Sequence, residues 1–128
     1  MKILGIGVDV IENQRIKRLI DKKVFIRRTF GKNEIKFSIK NPNKVNYFAK
    51  RFAAKEAFAK SLGTGFRNNL NLKDIEIFND NVGKPYFHMS QKIKKIIYKK
   101  FKTKKFDLFL SISDEKDYSV AFTILQTK

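Results

Sequence analysis

Residues 44–62 read K-V-N-Y-F-A-K-R-F-A-A-K-E-A-F-A-K-S-L, and Gly63 follows directly. Alanines at 49, 53, 54, 57 and 59 favour a helix, because alanine loses no side-chain entropy on entering one. Phe48, Phe52 and Leu62 supply apolar contacts, and Gly63 is the expected stop, since it tolerates the left-handed backbone that ends helices. The rest of the chain is arranged about this helix. Glu56 and Lys60 lie four apart and so share a face; Arg51 and Lys55 do the same on a neighbouring strip. Taken alone, Glu56 and Lys60 read equally well as a surface ion pair contributing about 0.3–0.5 kcal/mol.

On the N-terminal side, residues 2–11 alternate strictly, as a strand does. Leu4, Ile6, Val8 and Val10 fall on one face; Ile3, Gly5, Gly7, Asp9 and Ile11 fall on the other. Asp9 thus lies opposite an aliphatic stripe, on the side where two glycines admit another backbone or a ligand. A lone Asp at a strand end reads equally as a turn or cap residue. Residues 12–30 are expected as a helix, with Ile16, Leu19, Ile20 and Phe25 inward and Arg15, Arg18, Lys22, Arg27 and Arg28 outward. Gly31 and Asn33 mark a break before a helix over 34–39, and Asn41-Pro42-Asn43 is a turn.

On the C-terminal side, strands are expected at 74–79 and 85–89 about the turn Asn81-Val82-Gly83. A lysine-rich helix follows within 91–105, where Ile93, Ile96, Ile97 and Phe101 recur at helical spacing. Strands at 106–113 and 118–125 close the chain around Asp114-Glu115-Lys116-Asp117. With no repeat or linker, residues 1–128 read as a single α+β domain, an antiparallel sheet with helices packed on one face.

The 128 residues carry 29 Lys+Arg against 12 Asp+Glu, a formal charge of +17. Such an excess favours an anionic partner: nucleic acid, anionic lipid, an acidic protein or a phosphorylated small molecule. It is uneven, for residues 91–105 hold eight lysines and no acid, while 106–128 is acidic by four to two. The absence of cysteine removes disulfides, thiolate metal sites and a cysteine nucleophile, and suits a reducing cytoplasm. One histidine, His88, cannot build a His-rich metal site, and no apolar run approaches the roughly 18 residues of a membrane span. The opening M-K-I-L-G-I-G-V-D-V-I-E meets acidic residues at once and reads as a first strand rather than a leader.

A Walker A loop and a G-x-S-x-G elbow are absent, and the glycines at 5–7 and 63–65 are weak phosphate-loop signals. What remains is a hard-cation site. Asp9 and Glu56 offer two carboxylates, and Mg²⁺ is usually held by one or two carboxylates with water and substrate phosphate. Lys60 and Arg51 could meet phosphate oxygens. Spacing alone does not bring Asp9 to Glu56.

G-V-D-V-I-E-N-Q-R at 7–15 and R-F-A-A-K-E-A-F-A-K-S-L-G-T-G at 51–65 resemble the two signature motifs of the holo-acyl-carrier-protein synthases, short bacterial 4′-phosphopantetheinyl transferases. I-E-I-F-N-D-N-V-G-K-P at 75–85 and S-I-S-D-E-K-D-Y-S-V-A at 111–121 match in support. The resemblance implies a 4′-phosphopantetheinyl transferase-like fold. It further implies transfer of phosphopantetheine from coenzyme A to a serine of apo-acyl carrier protein, Mg²⁺-dependent, in fatty acid biosynthesis, leaving adenosine 3′,5′-bisphosphate. Asp9 and Glu56 match the metal-binding carboxylates, and Lys60 the lysine near the phosphates. Glu56, directly or through a water, is the candidate for taking the serine proton. Arg51, Gly63, Thr64, Gly65, Gly83, Lys84 and Pro85 are candidates for holding the nucleotide. Asp114 stands where some members carry histidine near the nucleotide. Arg15, with Arg18, Phe25, Arg27 and Arg28, matches the helix that docks the carrier protein. A cytoplasmic homotrimer with active sites between subunits is implied, with no membrane insertion and no nucleic-acid partner. The competing reading, a basic nucleic-acid-binding module, leaves Asp9, Glu56 and the 51–65 motif unexplained.

Overall fold

Strict alternation over the first residues becomes β1 (Ile3–Glu12), and the alanine-rich stretch becomes α4 (Lys44–Leu62). The computed structural model describes residues 1–67 and 69–128. Between these two elements come α1 (Asn13–Leu19), α2 (Lys23–Thr29) and α3 (Lys32–Ser38). After α4 come β2 (Ile77–Asn79), β3 (Pro85–Phe87), α5 (Gln91–Phe101), β4 (Phe106–Asp114) and β5 (Tyr118–Thr127). β1, β5 and β4 form an antiparallel sheet with β5 central, and β2 and β3 form a separate hairpin. The fold is α+β, as expected.

The helix expected over 12–30 is in fact two. In one continuous helix Val24 would follow Ile16 and Ile20 on the inward face. Instead the chain breaks at Ile20–Lys22, with Lys22 extended, which leaves Val24 exposed and turns Phe25 against Phe30 and Phe52. The strand expected from residue 74 begins only at Ile77. Leu72–Asp74 is a 3-10 turn, closed where the Asn71 amide donates to Asp74 Oδ2. The lysine-rich helix stops at Phe101 because Lys102 takes a left-handed φ of 57°.

The glycines of β1 decide how α4 meets the sheet. A Cβ on Gly7 would lie 1.8 Å from the Ala57 carbonyl oxygen, and one on Gly5 would lie 1.8 Å from that of Ser61. The helix backbone therefore rests directly on the strand, and any larger residue would push it off. Ala53, Ala57, Phe58 and Leu62 of α4 are buried, as are Ile11 of β1 and Ser119, Ala121, Thr123 and Leu125 of β5. The opposite sheet face stays open. Ile6, Val8 and Val10 are each at least half exposed, and Phe109 and Phe122 stand beside them on β4 and β5.

Candidate active site

Asp9 follows the two contact glycines on the face of β1 that meets α4, so its carboxylate emerges beside that helix. Glu56 and Lys60, one turn apart on α4, flank the same spot. Lys60 Nζ donates to the Val8 carbonyl at 2.9 Å and to Asp9 Oδ1 at 3.3 Å. Burial raises the Asp9 pKa above its ordinary value, and Lys60 and Arg15 oppose that rise. Burial also raises the pKa of Glu56, and the negative charge of Asp9 adds to it. Two half-buried carboxylates thus repel each other, with an exposed lysine ion-paired to Asp9 and Arg15 as a further counter-charge. Such a pair gains most from a cation. Among the described residues no cluster of three or more His, Cys, Asp and Glu side chains has metal-binding placement. The donor set fits Mg²⁺, which takes one or two carboxylates and fills its remaining positions with water and phosphate oxygens. Asp9 and Glu56 would hold it.

Arg51 belongs to another face of α4. Its guanidinium lies over the Tyr47 ring, 3.7 Å from the centroid, and donates to Asn79 Oδ1 at 2.7 Å. The residue is buried, and its Nε has no hydrogen-bond partner among the described residues. Arg51, Asn79, Gly83, Pro85 and Asp114 line a cavity of about 130 Å³. Four of the sequence candidates, Arg51, Gly83, Pro85 and Asp114, therefore converge. Lys84 stands exposed at the hairpin turn, its amide donating to Asp80 Oδ1. Asp114 is steadied by the Asn46 side-chain amide at 2.5 Å.

The structure parts the remaining candidates. Gly63 caps α4 in the left-handed conformation at φ 78° and Gly65 follows at φ 62°, while Thr64 lines a groove with Lys92, Lys95, Lys99 and Lys100. Among the described residues, Gly63, Thr64 and Gly65 do not line the Arg51 cavity. Arg15 and Arg18 are exposed on α1, and Arg15 reaches within 6.0 Å of the Phe52 ring centroid. Arg27 and Arg28 are exposed on α2 and flank a surface hollow with Val24. Phe25 is half-buried and packs on Phe30 and Phe52, so most of it serves the core. Sequence reasoning missed Asn79, whose side chain accepts from Arg51 and donates to the Gly83 carbonyl at 3.0 Å. The only available signal was its place before the turn in F-N-D-N-V-G-K-P.

With this geometry established, the sequence model described as the 4′-phosphopantetheinyl transferase superfamily matches residues 5–123. The chain belongs to that superfamily. Relatives within it include holo-[acyl-carrier-protein] synthases. The one from Pelagibacter ubique (strain HTCC1062) is 58% identical over 128 residues, covering 100% of each chain. The crystal structure of the Neisseria meningitidis synthase superposes with a TM-score of 0.88 at 37% identity, covering 98% of this chain and 99% of that one. The synthase from Bacillus anthracis str. Ames, solved in complex with CoA (3′,5′-ADP), gives 0.82 at 33% identity and covers 100% of both. The chain is thus an enzyme of the phosphopantetheinyl transferase family, and its fold is that of the solved synthases.

Proposed function

We propose that this protein transfers 4′-phosphopantetheine from coenzyme A to a serine of apo-acyl carrier protein, with Mg²⁺, in cytoplasmic fatty acid biosynthesis. The observation that carries the reading is the meeting of Asp9 and Glu56, two carboxylates from distant parts of the chain, beside Lys60. In the reaction the serine Oγ forms a bond to the β-phosphorus of coenzyme A. The bond from that phosphorus to the bridging oxygen breaks, and adenosine 3′,5′-bisphosphate leaves. Asp9 and Glu56 would hold Mg²⁺, which when bound would supply charge neutralisation for the diphosphate. Glu56, directly or through a water, accepts the serine proton in this reading. Lys60 is exposed enough to turn its ammonium from Asp9 to the departing phosphate oxygen.

Arg51, whose Nε is unpartnered among the described residues, and the walls made by Pro85 and Asp114 serve the nucleotide in this reading. Arg51 and Glu56 are five residues apart and point to different sides of α4, so one copy of the chain does not gather both groups around one ligand. That separation supports active sites shared between subunits, and the open apolar sheet face supports the trimer that would build them. Arg15, Arg18, Arg27 and Arg28 present a basic surface to an acidic carrier protein, a use of charge that chiefly raises encounter rate.

The test is incubation with coenzyme A, Mg²⁺ and apo-acyl carrier protein, followed by intact-mass spectrometry. The expected result is the phosphopantetheine adduct, lost when a chelator is added. Absence of the adduct, with tight and steeply salt-dependent binding to DNA or RNA, would replace this reading with the nucleic-acid one.

A further inference from the structure

Beneath the Arg51 cavity lies a charged pair that the reaction above does not use. Glu34 of α3 and Lys55 of α4 are both 0% exposed and meet at 2.5 Å between Nζ and Oε1. Every polar atom of the pair is engaged. Lys55 donates also to the Leu72 carbonyl at 3.2 Å and to the Ile75 carbonyl, which uses all three of its donors. Glu34 Oε1 accepts from the Gly31 amide at 2.9 Å, and Oε2 accepts from the Ile77 amide at 3.0 Å. Three chain segments, residues 31–34, Lys55 of α4 and residues 72–77 leading into the β2–β3 hairpin, are therefore knotted at one point. Two of them, α4 and the β2–β3 hairpin, form opposite walls of the cavity: α4 carries Arg51, and the hairpin carries Asn79, Gly83 and Pro85.

A buried ion pair is an expensive way to hold a core together. Apolar residues of similar volume generally stabilise as well or better, so stability alone does not call for one. What a salt bridge adds is direction. The Ile77 amide bond fixes the hairpin two residues before Asn79, and Asn79 in turn holds the Arg51 guanidinium.

We propose that Glu34 and Lys55 are positioning residues, which set the hairpin wall of the Arg51 cavity against its helix wall and so govern affinity for coenzyme A. This rests on the proposed transfer reaction only in the identity of that ligand.

Glu34→Gln separates the tether from the rest of the pair. Its amide oxygen still accepts from Lys55 and Gly31, while its NH₂ group confronts the Ile77 amide, donor against donor. The double variant Glu34→Leu/Lys55→Met removes all the charge and keeps the volume. Each is compared with the wild-type protein for coenzyme A affinity by calorimetry, for KM of both substrates, and for melting temperature. The expected result is a folded Glu34→Gln protein whose coenzyme A Kd and KM rise about ten-fold, the scale at which outer-shell partners act. Its KM for carrier protein stays within about two-fold of wild type, because the docking helices are untouched. A folded variant with both KM values near wild type would overturn the assignment. So would an equal rise in both, or failure of both variants to fold, since each makes the pair purely structural. Wild-type protein that binds coenzyme A but transfers nothing would instead reject the proposed reaction, while calorimetry still reads the tether.

Discussion

Asp9 and Glu56 carry a cost that is visible in their protonation. Each has a folded-state pKa above its ordinary value, chiefly through burial, so the folded protein binds protons more tightly than the unfolded chain does. Stability from this source is present below about pH 4, the ordinary carboxylate range, and is lost as pH rises through the raised values. We therefore expect Glu56→Gln to raise the melting temperature near pH 7.5 in chelator and to flatten its decline between acidic and neutral pH. A lower melting temperature at pH 7.5 would show that the carboxylate is stabilising instead. At this scale the sequence was readable for identity and silent on proximity. Glu56 and Lys60 share a helix face by spacing, but Asp9 lies 47 positions before Glu56, and nothing local joins them. The motif resemblance supplied the pairing, and the glycine contact supplies its physical cause. Asn79 went unread because an asparagine before a turn has a sufficient local explanation in the turn itself.

The element that does most is α4, and its seating depends on the absence of side chains on β1. Gly7→Ala would set a Cβ 1.8 Å from a backbone carbonyl oxygen, where no rotamer change relieves it. We expect a loss of about 3 kcal/mol, the upper part of the usual range for overpacking, measured by urea unfolding. A loss below about 0.5 kcal/mol would mean that helix and strand separate freely, and that Asp9 is not held against Glu56. Helix α4 itself was legible to the residue, because alanine content and Gly63 agree on its extent. Over 12–30 the side-chain types suited helix throughout, and only the five-residue step from Ile20 to Phe25 betrayed the break. The hairpin strands are short because neighbouring backbone groups are used elsewhere. The Ile75 carbonyl accepts from Lys55, a tertiary partner 20 residues away that no local pattern reveals.

At the scale of the whole molecule the +17 charge and the open sheet face point to different partners. The aliphatic stripe Leu4, Ile6, Val8 and Val10 was plain in the sequence, but alternation cannot say which face is covered, and α4 takes the glycine face. Val8→Asp, half exposed at the centre of the open face, should leave the protomer folded by circular dichroism. In light scattering it should convert a trimer to monomers, with activity falling at least about ten-fold as shared sites are lost. A monomeric wild-type protein with full activity would dismiss the shared-site proposal. The central claim is narrower: the carboxylates of Asp9 and Glu56 perform the transfer. It is tested most directly by following apo-acyl carrier protein by intact mass, with coenzyme A and Mg²⁺, using wild type, Asp9→Ala and Glu56→Ala. We predict conversion by wild type and a rate lower by about 10²–10⁴-fold in each variant, the range for loss of acid–base catalysis. Wild-type turnover in a folded Asp9→Ala or Glu56→Ala protein would contradict it.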